Sequence, residues 1–235
     1  MKANNNHNSH GNSVPIPVIS KPRPVNVAVP REVMIARGLP AALGEFPHMV
    51  ALVNGRNTNQ FCGGTLVAGQ YVVTAAHCFD SFSASQVTVV AASVDLTNSS
   101  MGVRRQVQTI TKHPQWNPST LANDICVLKL VTPIEQSQYI KYAQFETSEY
   151  VLNSNVWVTG YGITENSNTN LLLRKVQVPV VRVSYCGTNS ANIVCAGDGQ
   201  GHDSCPGDSG GPLGIFSNSI FVLGGIVSYG PSSVC

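Results

Sequence analysis

The chain carries little charge. Only 11% of its 235 residues are Asp, Glu, Lys or Arg, and the formal net charge is +2; soluble domains average about 25% charged residues. Surface polarity must come from Ser, Asn, Thr and Gln instead. No basic block points to nucleic acid, and no acidic tail points to a polycation. No apolar run approaches a membrane span. Residues 1–34 lack the uninterrupted apolar stretch of a secretion signal and turn Pro-rich. They read as a disordered or polyproline-like leader, with His7 and His10 in a solvated tail rather than a metal site. No internal repeat is evident.

What the chain does have is turns and short apolar runs. It holds 21 Gly and 14 Pro. Val-, Ile- and Thr-rich stretches recur at 48–53, 64–67, 72–76, 87–92, 103–109, 125–130, 156–159, 176–183, 212–216 and 221–227. Their brevity and β-branched content predict strands, hence an all-β sandwich or barrel.

Three motifs stand out. Gly207-Asp208-Ser209-Gly210-Gly211-Pro212 centres a glycine-rich run on one serine. Thr74-Ala75-Ala76-His77-Cys78 lies far upstream, and Asn123-Asp124-Ile125 lies between them. A free serine hydroxyl is a weak nucleophile and needs a base within reach; the base in turn needs a group that orients it. A serine, a histidine and a carboxylate can supply those roles. Taken singly, a His before a Cys is ordinarily structural, and an Asn-Asp pair is ordinarily a turn or cap. The three together, in the order His77, Asp124, Ser209, resemble the chymotrypsin/trypsin family of serine proteases. The resemblance runs from near Ile35 to Cys235.

That resemblance implies two six-stranded antiparallel barrels with the active site in the cleft between them. Residues 1–34 would be a leader or propeptide and 35–235 the protease domain, with 132–151 crossing between barrels. Ser209 would be the nucleophile, His77 the general base and Asp124 its orienting carboxylate. The N–H groups of Gly207 and Ser209 would form the oxyanion hole. Asp203 would sit at the base of a pocket for a substrate Arg or Lys, with Ser228 and Gly230 along the substrate. Asp208 would receive the α-amino group of Ile35 after zymogen cleavage, although Met34 stands where a basic residue usually precedes the cut. Cleavage after Arg37 would instead expose Gly38, which has no apolar side chain to anchor. Tyr161 and Tyr229 stand where many relatives carry Trp.

Six of the seven cysteines pair under the same resemblance as Cys62–Cys78, Cys186–Cys195 and Cys205–Cys235. Val156 and Ile215 occupy the two positions of a further family bridge. Cys126 is left over, either a small core hydrophobe or a reactive or intermolecular thiol. Three bridges imply an oxidising compartment and a secreted protein. Asn98-Ser99-Ser100 is a glycosylation sequon. The 87–100 stretch offers Asp95 alone as a carboxylate, so no metal is expected there, and no cofactor is implied. The partners implied are protein or peptide substrates, an activating protease and protein inhibitors, with the enzyme itself a monomer.

The sequence stops at Cys235, ahead of the second pocket wall, last strand and C-terminal helix of the family pattern. The expectation is a second barrel with an open edge. Two other readings stay open. One is a non-catalytic homologue acting as a binding or cofactor module. The other is a protease of broader or chymotrypsin-like preference.

Overall fold

The computed structural model describes residues 38–55, 60–163, 171–188, 190, 192–198 and 206–230. Those residues form strands and three short 3-10 turns. The strands are β1 (Leu39–Pro40), β2 (Met49–Asn54), β3 (Gln60–Ala68), β4 (Tyr71–Thr74), β5 (Val87–Ala91), β6 (Val103–Lys112) and β7 (Cys126–Leu130). They continue with β8 (Gln144–Phe145), β9 (Asn155–Gly160), β10 (Arg174–Val181), β11 (Cys195–Ala196), β12 (Pro212–Ser217) and β13 (Ile220–Ile226). All ten runs expected from the sequence lie on strands. No helix among the described residues is long and apolar enough to cross a membrane.

The first six long strands close into a barrel in the order β2-β3-β4-β7-β6-β5. The side-chain period of two sets its interior. In β7, Cys126, Leu128 and Leu130 are buried, while Val127 is exposed and Lys129 half-buried. Strand β2 is buried on both faces, which explains its unbroken apolar run. Val50 and Leu52 join the barrel core, and the alternating Met49, Ala51 and Val53 join a second core with Phe46, Leu96, Tyr161 and Leu173.

The second half is an open sheet among the described residues, ordered β1-β10-β9-β12-β13-β8, with β11 paired to β10. Strand β8 joins β13 in parallel, within the stretch read as a crossover. Val156, Val158, Val176, Val178, Val180 and Leu213 form its core. The β12–β13 hairpin turns on Asn218 and Ser219, both with positive φ, as the two-residue turn that matches strand twist requires.

An aromatic group joins the barrel to this sheet. His48 stacks on Phe221 with ring centroids 3.7 Å apart, and Phe46 and Phe216 pack around it edge-on. The His48 ring is fully buried, and neither ring nitrogen has a hydrogen-bond partner among the described residues. Burial pushes its pKa down to about 3, from a usual 6.5. The folded protein therefore holds His48 neutral, while the unfolded chain takes up the proton first as pH falls. The stability contributed by neutral His48 is complete above the unfolded value and is lost from there down towards the folded value. The loss reaches about 1.4 kcal/mol per pH unit. Thermal melts should show the wild type losing Tm faster than His48→Phe as pH drops below about 6.5; parallel curves would remove this account.

Candidate functional site

The register of two neighbouring strands brings His77 and Asp124 to one end of the barrel. Strand β4 ends at Thr74, which pairs with Cys126 at the start of β7. His77 opens a 3-10 turn just beyond β4, and Asp124 lies two residues before β7. The Cys62–Cys78 disulfide ties that turn back to β3. Asn123, with φ of 58°, turns the chain and donates from its side chain to the Gln115 carbonyl at 2.9 Å. Asn is among the few residues that take this left-handed conformation readily.

Asp124 accepts three hydrogen bonds. His77 donates its backbone N–H to Oδ1 at 2.9 Å, and its Nδ1 lies 2.7 Å from Oδ2. The Ser228 hydroxyl donates to the same Oδ2 at 2.5 Å. Burial opposes the charge on Asp124, but these donors outweigh it and hold the carboxyl below its usual value. A carboxylate at Nδ1 assigns the ring proton to that nitrogen and leaves Nε2 as an acceptor. The His77 side chain is 26% exposed and that of Asp124 only 3%, so the pair has a dry end and a wet end.

Ser209 lies on the turn that leads into β12. Its carbonyl accepts from the Gly63 N–H on β3 at 2.7 Å. Cys78 Sγ is 3.9 Å from that carbonyl and 4.0 Å from His77 Nε2, so both groups flank one sulfur. No hydrogen bond joins Ser209 Oγ to His77 in the described residues; in unliganded sites such bonds are often long. The turn fits because Gly210 has no side chain: at φ of 78°, a Cβ there would run into Thr74 Oγ1 and lie 2.6 Å from the Gly63 carbonyl.

Gly207 has φ of 99°, a conformation that glycine alone adopts at little cost. Asp208 is fully buried and accepts from the Gly162 N–H at 2.8 Å. A Cβ at Gly162 would come within 2.6 Å of the Asp208 carboxyl carbon, so glycine makes the room. Ser228 and Tyr229 line a cavity of about 750 Å³ together with Leu121, Asp124, Leu213 and Val227. Gly230 is exposed just beyond it. Cys186 and Cys195 are bonded, and Cys126 is a buried thiol pushed up to about 11 by burial. Asn98 is exposed, and its side-chain oxygen accepts from the Ser100 hydroxyl at 2.6 Å. Residues 1–34, Ile35, Arg37, Asp203, Cys205 and Cys235 lie outside the described residues.

Comparison with known proteins agrees with this architecture. The family pattern described as Trypsin matches residues 35–235. Trypsin Blo t 3 of Blomia tropicalis is 34% identical over 212 residues, covering 83% of this chain and 76% of the relative. Phenoloxidase-activating factor 3 of Holotrichia diomphalia is 32% identical over 220 residues, covering 80% of this chain and 62% of the relative. Transmembrane protease serine 9 of Rattus norvegicus is 30% identical over 215 residues, covering 86% of this chain but 20% of that longer protein. The chain belongs to the chymotrypsin/trypsin family of serine proteases. Proteins are the substrates that this family implies.

Ser228 was expected from the sequence to face substrate; the structure adds a bond from its hydroxyl to Asp124. The run Val227-Ser228-Tyr229 holds no sign of that partner, which lies 104 residues away. Bonds to charged groups contribute about 1.5–3 kcal/mol. Urea unfolding of Ser228→Ala, Asp124→Asn and the double variant should give a coupling energy above about 1 kcal/mol; additive losses would show that the bond contributes nothing.

Proposed function

We propose that the chain is a secreted, trypsin-like endopeptidase that hydrolyses peptide bonds through an acyl-enzyme. The observation that carries this reading is the His77–Asp124 pair, with the Ser209 backbone held beside it by Gly63. Ser209 Oγ attacks the scissile carbonyl carbon and its proton passes to His77 Nε2. Asp124 keeps the ring oriented and stabilises the imidazolium. The N–H groups of Gly207 and Ser209 receive the developing oxyanion. His77 then protonates the leaving amine as the C–N bond breaks, leaving an ester on Ser209. Water, deprotonated by the same ring, attacks that ester; the C–O bond to Ser209 breaks, His77 returns the proton to Oγ, and the new carboxylic acid leaves.

The residue-level resemblance supports a preference for Arg or Lys before the cut, with the Asp203 carboxylate as the opposite charge. It also supports activation by a new Ile35 amino group at the buried Asp208. In that reading residues 1–34 are a leader and 35–235 a monomeric protease domain, open to an activating protease and to protein inhibitors. The two disulfides among the described residues support an oxidising compartment, where Asn98 would be open to glycosylation.

A serine-directed fluorophosphonate should label the protein, cleaved ahead of Ile35, and fail to label Ser209→Ala. Ser209→Ala and His77→Ala should each lower turnover of a peptidyl-arginine amide by roughly 10³-fold or more. Asp203→Ser should abolish the preference for Arg and Lys. Labelling that persists without Ser209, or a wild type that neither labels nor cleaves, would overturn the reading and leave a binding module instead.

A further inference from the structure

The turn carrying Ser209 is fixed one peptide at a time. The Pro206 carbonyl accepts from the Ile163 N–H at 2.8 Å, the Asp208 carbonyl from the Gly211 N–H at 2.9 Å, and the Ser209 carbonyl from the Gly63 N–H at 2.7 Å. The Gly207 carbonyl is held differently: the Gln60 side chain donates to it from Nε2 at 2.6 Å, across 147 residues of sequence. Among the described residues, it is the one of these four successive carbonyls that accepts from a side-chain N–H.

A trans peptide points its N–H opposite to its C=O. The bond from Ile163 therefore aims the Gly207 N–H, and the bond from Gly211 aims the Ser209 N–H. The peptide between them, Gly207 to Asp208, sets the angle between those two donors. Its flanking residue Gly207 is a glycine at φ of 99°, so the local chain resists rotation least at this point. Gln60 sits at the first position of β3, the strand whose Gly63 holds Ser209. A rigid strand thus reaches the turn twice, once by backbone and once by side chain.

We propose that Gln60 is a positioning residue for the oxyanion hole: its amide locks the Gly207–Asp208 peptide so that the N–H groups of Gly207 and Ser209 converge on one point. This rests on the proteolytic reading above. Gln60 touches no reacting atom, so its effect belongs to the transition state, where the oxyanion forms, rather than to substrate binding.

The test compares wild type with Gln60→Met, which keeps the length and loses the donor, and Gln60→Glu, which turns an acceptor towards the carbonyl. Losing a whole oxyanion donor lowers kcat roughly 10²–10³-fold. A misaligned pair should cost less, roughly 10–100-fold in kcat for Gln60→Met, with KM within about twofold and Tm little changed. Gln60→Glu should be worse still. Hydrogen exchange of the 206–210 segment should quicken in both variants. A kcat within about twofold of wild type in Gln60→Met, or a loss that follows Tm and KM instead of kcat, overturns the proposal. A wild type without turnover strikes the proteolytic reading, and exchange then decides about Gln60 alone: unchanged protection at 206–210 overturns it. Should Gln60→Met fail to fold, Gln60→Glu carries the same comparison.

Discussion

The site depends on two backbones lying close enough to bond directly. The Gly63 N–H of the barrel reaches the Ser209 carbonyl of the second sheet's turn at 2.7 Å. Side chains would prevent it: a Cβ on Gly63 would lie 3.1 Å from the Gly211 Cα, and one on Gly211 would lie 2.8 Å from the Thr159 carbonyl. The glycines around Ser209 are therefore not only a means of bending the chain. They remove the bulk that would separate the serine's turn from the strand that positions it. Thr74 completes the contact by donating its hydroxyl to the Gly63 carbonyl at 2.8 Å, so one residue next to the His77 turn also holds the glycine strand.

Asp124 joins the same two halves through charge. It takes two donors from His77 in the barrel and one from Ser228 just beyond β13. Burying a carboxylate without partners is costly; with three donors the charged form is favoured instead. Loss of contact between the halves would strip one donor and admit water to the rest. The electrostatics of the pair and the packing of the two halves are consequently one property. The buried stack of His48 on Phe221 adds an apolar counterpart on the same boundary.

Much of this was legible in the sequence because β-branched runs mark strands and because three motifs carry unusual residues in a set order. Extents were less legible. Strand β3 reads as an apolar run only at 64–67, yet it spans Gln60–Ala68; its first residues are defined by pairing with β2 and by the Cys62 bridge, not by propensity. Strand β6 runs to Lys112 because that residue pairs with Cys126. Strands β8 and β11 are two residues each and exist only through their partners β13 and β10. The Ser228 and Gln60 bonds were invisible for a related reason: a hydroxyl or amide announces no partner until the fold supplies one.

The division of labour between rigid and adjustable parts follows from these contacts. The barrel closes on itself, so its strands have no unpaired edge among one another, and it supplies the His77–Asp124 pair from the segments flanking two adjacent strands, β4 and β7. The serine's turn has no regular structure of its own and takes its shape from Ile163, Gln60, Gly63 and Val227. A turn held by so many separate donors keeps a demanding conformation, with φ of 99° at Gly207 and 78° at Gly210, that its local sequence would not hold alone. Its precision is thus borrowed from the barrel. Substitutions on β3 far from Ser209 in sequence should bear on the serine as directly as changes in the glycine-rich motif itself.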